Sequence, residues 1–271
     1  MAITEEFGGV PWTFYSPDSP TIEIETDMQS GGFNTFATTL LTHHQTPMVV
    51  VLLRTIYTEE SDTTFPVAIK ALEQRMKQYY LHMNRFSYWG QRGEEKKKTD
   101  GSANEEVARR FRIEVFEDKD RLNFPSLAGA SHSTIKSLVD YFNEWVKSVG
   151  GDPTDQYPVN PRLSGCLAVD SGALQSLLDM SKEEIPPLRV AVDTQEKMEW
   201  RDQIYAWVWF LDARDFGSYR GGEQEIEFRG WGKLDASDIP DCWFRKSHRT
   251  DKEGWMFAEK YLDEHGDFFY G

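Results

Sequence analysis

The sequence predicts an α/β fold shading into α+β: a mixed β-sheet with helices packed on it and an antiparallel Trp-rich hairpin in the C-terminal third. Three observations carry this expectation. Strand-like and helix-like patterns alternate through the first two-thirds of the 271 residues, after which strands dominate. Residues 48–57 (M-V-V-V-L-L-R-T-I-Y) form a mostly apolar, β-branched run whose length suits a strand buried on both faces. Two aromatic runs, residues 204–211 and 223–228, flank a loop that ends in Gly221-Gly222, which is a hairpin signal.

Along the chain, residues 1–47 are punctuated by Gly8-Gly9, Pro11, Pro17, Pro20 and Gly31-Gly32, with a short alternating edge strand expected at 21–26. After the apolar strand, Ile69, Leu72, Met76 and Met83 recur at helical spacing. Thr64 is placed to cap this helix, and Pro66 suits its first turn. Residues 85–104 read as polar loop, lysine triplet 96–98 included, because two glutamates precede the lysines. Residues 110–116 alternate, with Phe111, Ile113 and Val115 on one face of a half-buried strand.

The clearest helix spans 131–149. Ile135, Leu138, Val139, Phe142, Trp145, Val146 and Val149 make one apolar stripe, a serine at 131 or 133 caps it, and Gly150-Gly151 stops it. Residues 151–162 carry three prolines and read as a linker between an N-terminal α/β portion, 1–150, and an aromatic-rich α+β portion, 163–271. A single compact domain is the alternative. Beyond the linker the patterns predict a strand at 163–169, a helix at 172–180, a strand at 188–192, the hairpin, a loop at 232–251 and a helix at 254–265.

Composition narrows the partners. An apolar share of 39% and an aromatic share of 14% indicate a folded chain. The net charge of −15 is shared by both halves, with 16 basic against 21 acidic residues up to residue 150 and 14 against 24 after it. Nucleic acid and anionic membranes are therefore disfavoured, and cationic surfaces and neutral ligands are favoured. The one local exception, Trp243 to Arg249, joins aromatics to Arg245, Lys246 and Arg249, but Asp241, Asp251 and Glu253 offset it. Cys166 and Cys242, the only cysteines, read as reduced buried thiols. With no basic-then-apolar leader and no apolar run near the roughly 20 residues that a bilayer span needs, the expected place is the cytoplasm, off the membrane.

Chemistry has one paired candidate. L-A-V-D-S at 167–171 and V-A-V-D-T at 190–194 each end an apolar strand in an aspartate beside a hydroxyl residue. Ligands of open α/β sheets bind beyond the carboxyl ends of strands, so Asp170 and Asp193 are candidates to hold a metal ion or to share acid and base work. The competing reading makes both of them helix caps, Asp193 with Glu196 forming a capping box. No phosphate-binding glycine loop or nucleophile elbow occurs, the histidines have no ligand spacing, and no cofactor is expected. A binding face is expected on Tyr205, Trp207, Trp209 and Trp231. Six of the nine tryptophans lie from residue 200 onward, and Tyr205, Trp207 and Trp209 share one side of a strand.

The stretch C-L-A-V-D-S-G-A-L-Q-S-L-L-D from Cys166, with F-L-D-A-R-D and the late E-G-W-M-F-A at 253–258, resembles uncharacterised intracellular proteins of filamentous ascomycete fungi. The resemblance covers roughly a third of the chain and implies a cytosolic protein, with no activity to carry over. The function expected is an interaction or assembly module that presents its aromatic hairpin to a protein partner or to its own copy. The alternatives are a metal-assisted hydrolase or transferase using Asp170 and Asp193, and a binder of a small, sugar-like ligand on the Trp face.

Overall fold

The computed structural model describes residues 6–7, 10–11, 49–83, 111–155, 161–182, 206–214, 216, 230–236, 239, 242 and 269–270. The strands expected at 21–26, 188–192 and 223–228, the helix at 254–265 and the 243–249 cluster lie outside these residues, as do His43, His44, Asp193 and Tyr205. The chain divides into two compact units, residues 1–49 with 73–112 and residues 50–72 with 113–271. In the first, β1 (Glu6–Phe7) and β2 (Val10–Pro11) form an antiparallel ribbon. Glu73 pairs there with Lys77 one helical turn on and reaches Arg112 at 3.9 Å.

Among the described residues the main sheet has six strands in the order β4-β3-β5-β6-β7-β8, and it is mixed, as the sequence predicts. β3 (Val49–Arg54) buries all six of its residues, and β5 (Cys166–Val169) buries all four. The two run parallel, with Leu52 beside Leu167 and Arg54 beside Val169. Continuous apolar runs of this kind suit strands covered on both faces. β4 (Arg112–Phe116) is only partly buried, and it corrects the expected face: Ile113 and Val115 are half-buried, while Glu114 is the buried residue because Arg162 pairs with it. Strands from either side of the proline-rich stretch 151–162 thus pair in one sheet.

β6 (Trp207–Leu211) runs antiparallel to β5 and to β7 (Trp231–Asp235), and β7 runs parallel to the short β8 (Phe269–Tyr270). The Trp-rich antiparallel pair is therefore present. Its second strand corrects the sequence reading, which placed 232 onward in a loop. W-G-K-L-D lacks the alternation of a strand, and it pairs because Leu234 and Trp231 are buried while Lys233 lies under two indoles. The ladder extends at both ends through Asp212 N to Gly230 O and Ala236 N to Ala206 O, each 2.8 Å.

Among the described residues, three longer helices flank the sheet in sequence, with the single-turn α2 (Lys119–Leu122) between the first two. The first, α1 (Glu59–Met83), begins five residues before the expected Thr64 cap, and Pro66 lies inside it. Thr58 and Ser61 cap it reciprocally, Ser61 N donating to Thr58 Oγ1 and Thr58 N to Ser61 Oγ. The acidic first turn, Glu59, Glu60 and Asp62, suits the positive end of the helix dipole but reads as loop by hydrophobicity. α3 (His132–Ser148) matches its prediction. Ser131 accepts from Thr134 N, and Ile135, Leu138, Val139, Phe142 and Val146 are buried, each contributing about 1.5–3 kcal/mol. α4 (Ser171–Met180) follows β5 directly and buries Ala173, Leu174, Leu177 and Met180. Among the described residues no helix is long and apolar enough to cross a membrane.

Candidate functional site

The parallel pair β3 and β5 ends at Arg54 and Val169, the position where an open α/β sheet offers a ligand crevice. Here the chain itself covers those ends. Thr55 donates to Val169 O through both its N–H and its hydroxyl, at 3.1 Å each. Phe124 N donates to Thr55 O at 2.9 Å, and Ser171 N to Pro125 O at 3.0 Å. Leu127, fully buried, donates its N–H to Asp170 Oδ2 at 2.7 Å. Residues 123–127 are thereby pinned across both strand ends.

Asp170 is 2% exposed, and its second oxygen, Oδ1, accepts from Ala173 N at 2.9 Å. One carboxylate thus caps α4 and anchors the covering segment, so both of its oxygens are committed to backbone donors. The capping alternative describes this geometry. Among the described residues no group of three His, Cys, Asp or Glu could hold a metal ion.

Arg54 closes the same end of the sheet. Its Nη1 donates to Glu117 at 2.8 Å, its Nη2 to Ser61 at 3.2 Å and to Asp62, and its Nε to Ile56 O at 2.9 Å. The rings of Tyr57 and Phe65 lie 4.9 and 4.8 Å from the guanidinium carbon. Burial pulls the guanidinium pKa down, but the hydrogen bonds to Glu117 and Asp62 outweigh it and the net shift is upward. Burial pushes the Tyr57 hydroxyl up, and that hydroxyl accepts from Asp118 N and donates to Arg54 O, both at 2.8 Å. A side chain with all three of its nitrogens engaged ties α1, β3 and the segment after β4 together, which is a structural task.

The aromatic face is set by strand register. Trp209 lies opposite Lys233, Trp207 opposite Asp235 and Leu211 opposite Trp231, so these six share one side of the sheet. Trp209 is fully buried and Trp231 is 3% exposed, while Trp207 is half-buried. The two indoles meet edge to face at 5.5 Å, and Lys233 Nζ sits 4.7 Å from one ring centre and 5.4 Å from the other. α4 continues where β5 stops. Ser176 Oγ accepts from Trp207 N at 3.2 Å and lies 3.1 Å from Trp207 O, taking the place of a strand neighbour. Gly172 leaves room for the indole, since a Cβ there would come within 3.2 Å of the ring.

At the other end of this face, Trp231 belongs to a three-ring cluster that reaches solvent. Phe216 stacks on His132 at 4.5 Å, and Trp231 lies 5.8 Å from Phe216 and 6.0 Å from His132. His132 is exposed and Phe216 half-buried. Gly230, at φ 90°, permits this approach, because a Cβ there would meet Phe216 Cα at 2.9 Å. Of the four residues expected to bind, Trp209 and Trp231 are therefore core, Trp207 is partly accessible, and Tyr205 lies outside the described residues. His132 reads in the sequence only as one of the singly scattered histidines, and Lys233 and Phe216 carry no motif, so none of the three is marked as a site residue.

Both cysteines are buried, and neither is in a disulfide. Burial drives the Cys166 thiol far above the ordinary thiol range, opposed weakly by the charge of Arg214. A thiol held in its protonated form by burial is a poor nucleophile and a poor metal ligand. Because its folded pKa is raised, its contribution to stability is whole below about pH 8.5, the pKa of an exposed thiol, and is lost as pH rises further. Cys166→Ala is accordingly expected to flatten the alkaline limb of a stability–pH curve, measured by denaturant melts from pH 7 to 10.

Comparison with family models, with curated proteins and with solved structures gave no match.

Proposed function

We propose that this chain is an acidic, cytoplasmic protein-interaction or assembly module that contacts a protein partner, or its own copy, through the outer rim of its aromatic face. The supporting observation is the exposed His132 ring stacked on the half-buried Phe216 above Trp231. Rings held against one another lose little freedom on binding, and a polar-edged aromatic suits the centre of an interface. The net charge of −15 favours a basic surface opposite it, with association weakening as salt rises. The two reduced, buried thiols accord with a cytoplasmic place, and the resemblance to intracellular fungal proteins accords with the same reading.

Sedimentation velocity over a concentration series, repeated with a His132→Ala/Phe216→Ala double variant, tests self-assembly. Concentration-dependent association that the variant abolishes without losing its fold supports the proposal. Association unchanged by the variant would place the contact elsewhere.

One observation favours a second reading, a small ligand on the Trp face. Trp209 Nε1 is buried and has no hydrogen-bond partner among the described residues, and an acceptor on a ligand would satisfy it. A saturable change in tryptophan fluorescence with a sugar or metabolite, abolished by Trp207→Ala, supports this reading, and a flat response across the panel removes it.

A further inference from the structure

Arg214 follows β6, at the opposite end of β5 from Asp170. Its side chain is drawn inside by three segments and is 6% exposed. Nε donates to Leu163 O at 3.1 Å, Nη2 donates to Asn143 Oδ1 on α3, and the backbone N–H reaches Ser164 O at 3.2 Å and Asp212 Oδ1 at 3.3 Å. Every acceptor of the guanidinium itself is neutral, a carbonyl and an amide. Nη1, with two N–H groups, is buried and has no acceptor among the described residues. Burial lowers the pKa of this group, and the nearby carboxylates Asp212, Asp152 and Asp155 only partly oppose that.

The contrast with Arg54 is instructive. Arg54, buried to the same degree, is met directly by Glu117 and Asp62. A buried guanidinium is expected to meet a negative charge in direct contact, since an uncompensated buried ion costs several kcal/mol. Arg214 meets none within ion-pair distance among the described residues. Its planar fork matches the two oxygens of a carboxylate or phosphate. Asn143, whose Oδ1 is already engaged by Arg214, has an Nδ2 with no hydrogen bond among the described residues, a further donor beside the fork.

We infer that Arg214 is the anchor of a binding site for a small oxyanion, a phosphate or carboxylate group taken up by Nη1 with Asn143 as its neighbour. The site is separate from the aromatic rim, and the interaction reading does not depend on it. Asp152 and Asp155, exposed on the turn after α3, add negative charge near the guanidinium, so the ligand is held by the fork at short range and not drawn in by the general field.

The test is a thermal melt of the full chain titrated with inorganic phosphate and, separately, with acetate, at ionic strength held constant with chloride. Phosphate stabilises most proteins by exclusion from their surface, an effect that grows without saturating, so saturation is the diagnostic. A Tm rise that saturates in the millimolar range with either anion, is weakened in Arg214→Lys and is absent in Arg214→Gln supports the site, and whichever anion saturates identifies the ligand group. If Arg214→Gln fails to fold, the wild-type curve and the lysine variant decide. A wild-type response that never saturates with either anion, or one equal in wild type and Arg214→Lys, overturns the proposal.

Discussion

Replacing Asp170 with alanine is expected to lower stability by about 3 kcal/mol, combining a lost helix cap of about 1 kcal/mol with a buried donor left unpaired at about 1–3 kcal/mol. The two losses are separable because the two oxygens serve different donors, Ala173 N and Leu127 N. Asp170→Asn keeps an acceptor for the cap and turns an amide NH2 toward the Leu127 N–H. It should therefore recover the capping part of the loss and little of the rest. Leu127→Pro is unsuitable as a control because it also changes the backbone, so the comparison rests on Ala against Asn at one position. Denaturant melts read both variants. A metal site at Asp170 would give a different pattern, with stability preserved in Asp170→Asn and a Mg²⁺-dependent Tm rise in the wild type alone.

The second large effect belongs to Glu114 and Arg162, which form an ion pair with side chains 9% and 3% exposed. Glu114→Leu removes one charge of a buried pair and is expected to cost about 3–5 kcal/mol, because the guanidinium then loses its anionic partner away from water. Arg162→Met strands the carboxylate in the same way. The double variant should be far more stable than the sum of the singles predicts, since two apolar side chains of similar volume incur no desolvation penalty. It should not fully regain wild-type stability, because the Arg162 guanidinium also lies 4.9 Å from the Trp145 ring centre and that contact is lost. Additive single effects in a double-mutant cycle would mean that the two groups are solvated independently.

How much of this was legible in the sequence follows from what each element depends on. α3 was readable within a residue at each end because its stripe, its serine cap (131 or 133 in the sequence, Ser131 in the fold) and its glycine stop all lie within one local stretch. β3 and β5 were readable because a strand covered on both faces is a continuous apolar run. Asp170 was legible as a cap from the helix that follows it, but its second bond, to Leu127 43 residues away, was not. Pairing between distant segments leaves no local mark. The same limit explains β7, whose Gly232 and Lys233 break the strand pattern. Lys233 is tolerated inside because two indoles from the neighbouring strand receive its charge, a fact that lives in the register and not in the segment. The start of α1 was missed for a different reason. Its first turn faces solvent and is held by Thr58 and Ser61, so hydrophobicity carries no signal there.

The aromatic face shows the same division. Concentration of tryptophans located the strand, and alternation assigned Trp207 and Trp209 to one side. Which of them stays accessible depends on what α4 and the residues around Gly230 bring against the sheet. The rim that results is built from His132, Phe216 and Trp231, drawn from three separate places in the chain.

The most direct test of the interaction reading places a photoreactive phenylalanine analogue at position 132 and, as a control, at the exposed Gln175 of α4. Irradiation of the purified chain, and of the chain with cell extract, is followed by mass spectrometry of the adducts. The account predicts discrete adducts from position 132, either to a second copy of the chain or to a specific partner with a basic surface, weakened by added salt, and no comparable adduct from position 175. Equal, diffuse labelling from both positions, or no adduct from position 132 at any concentration, would contradict it.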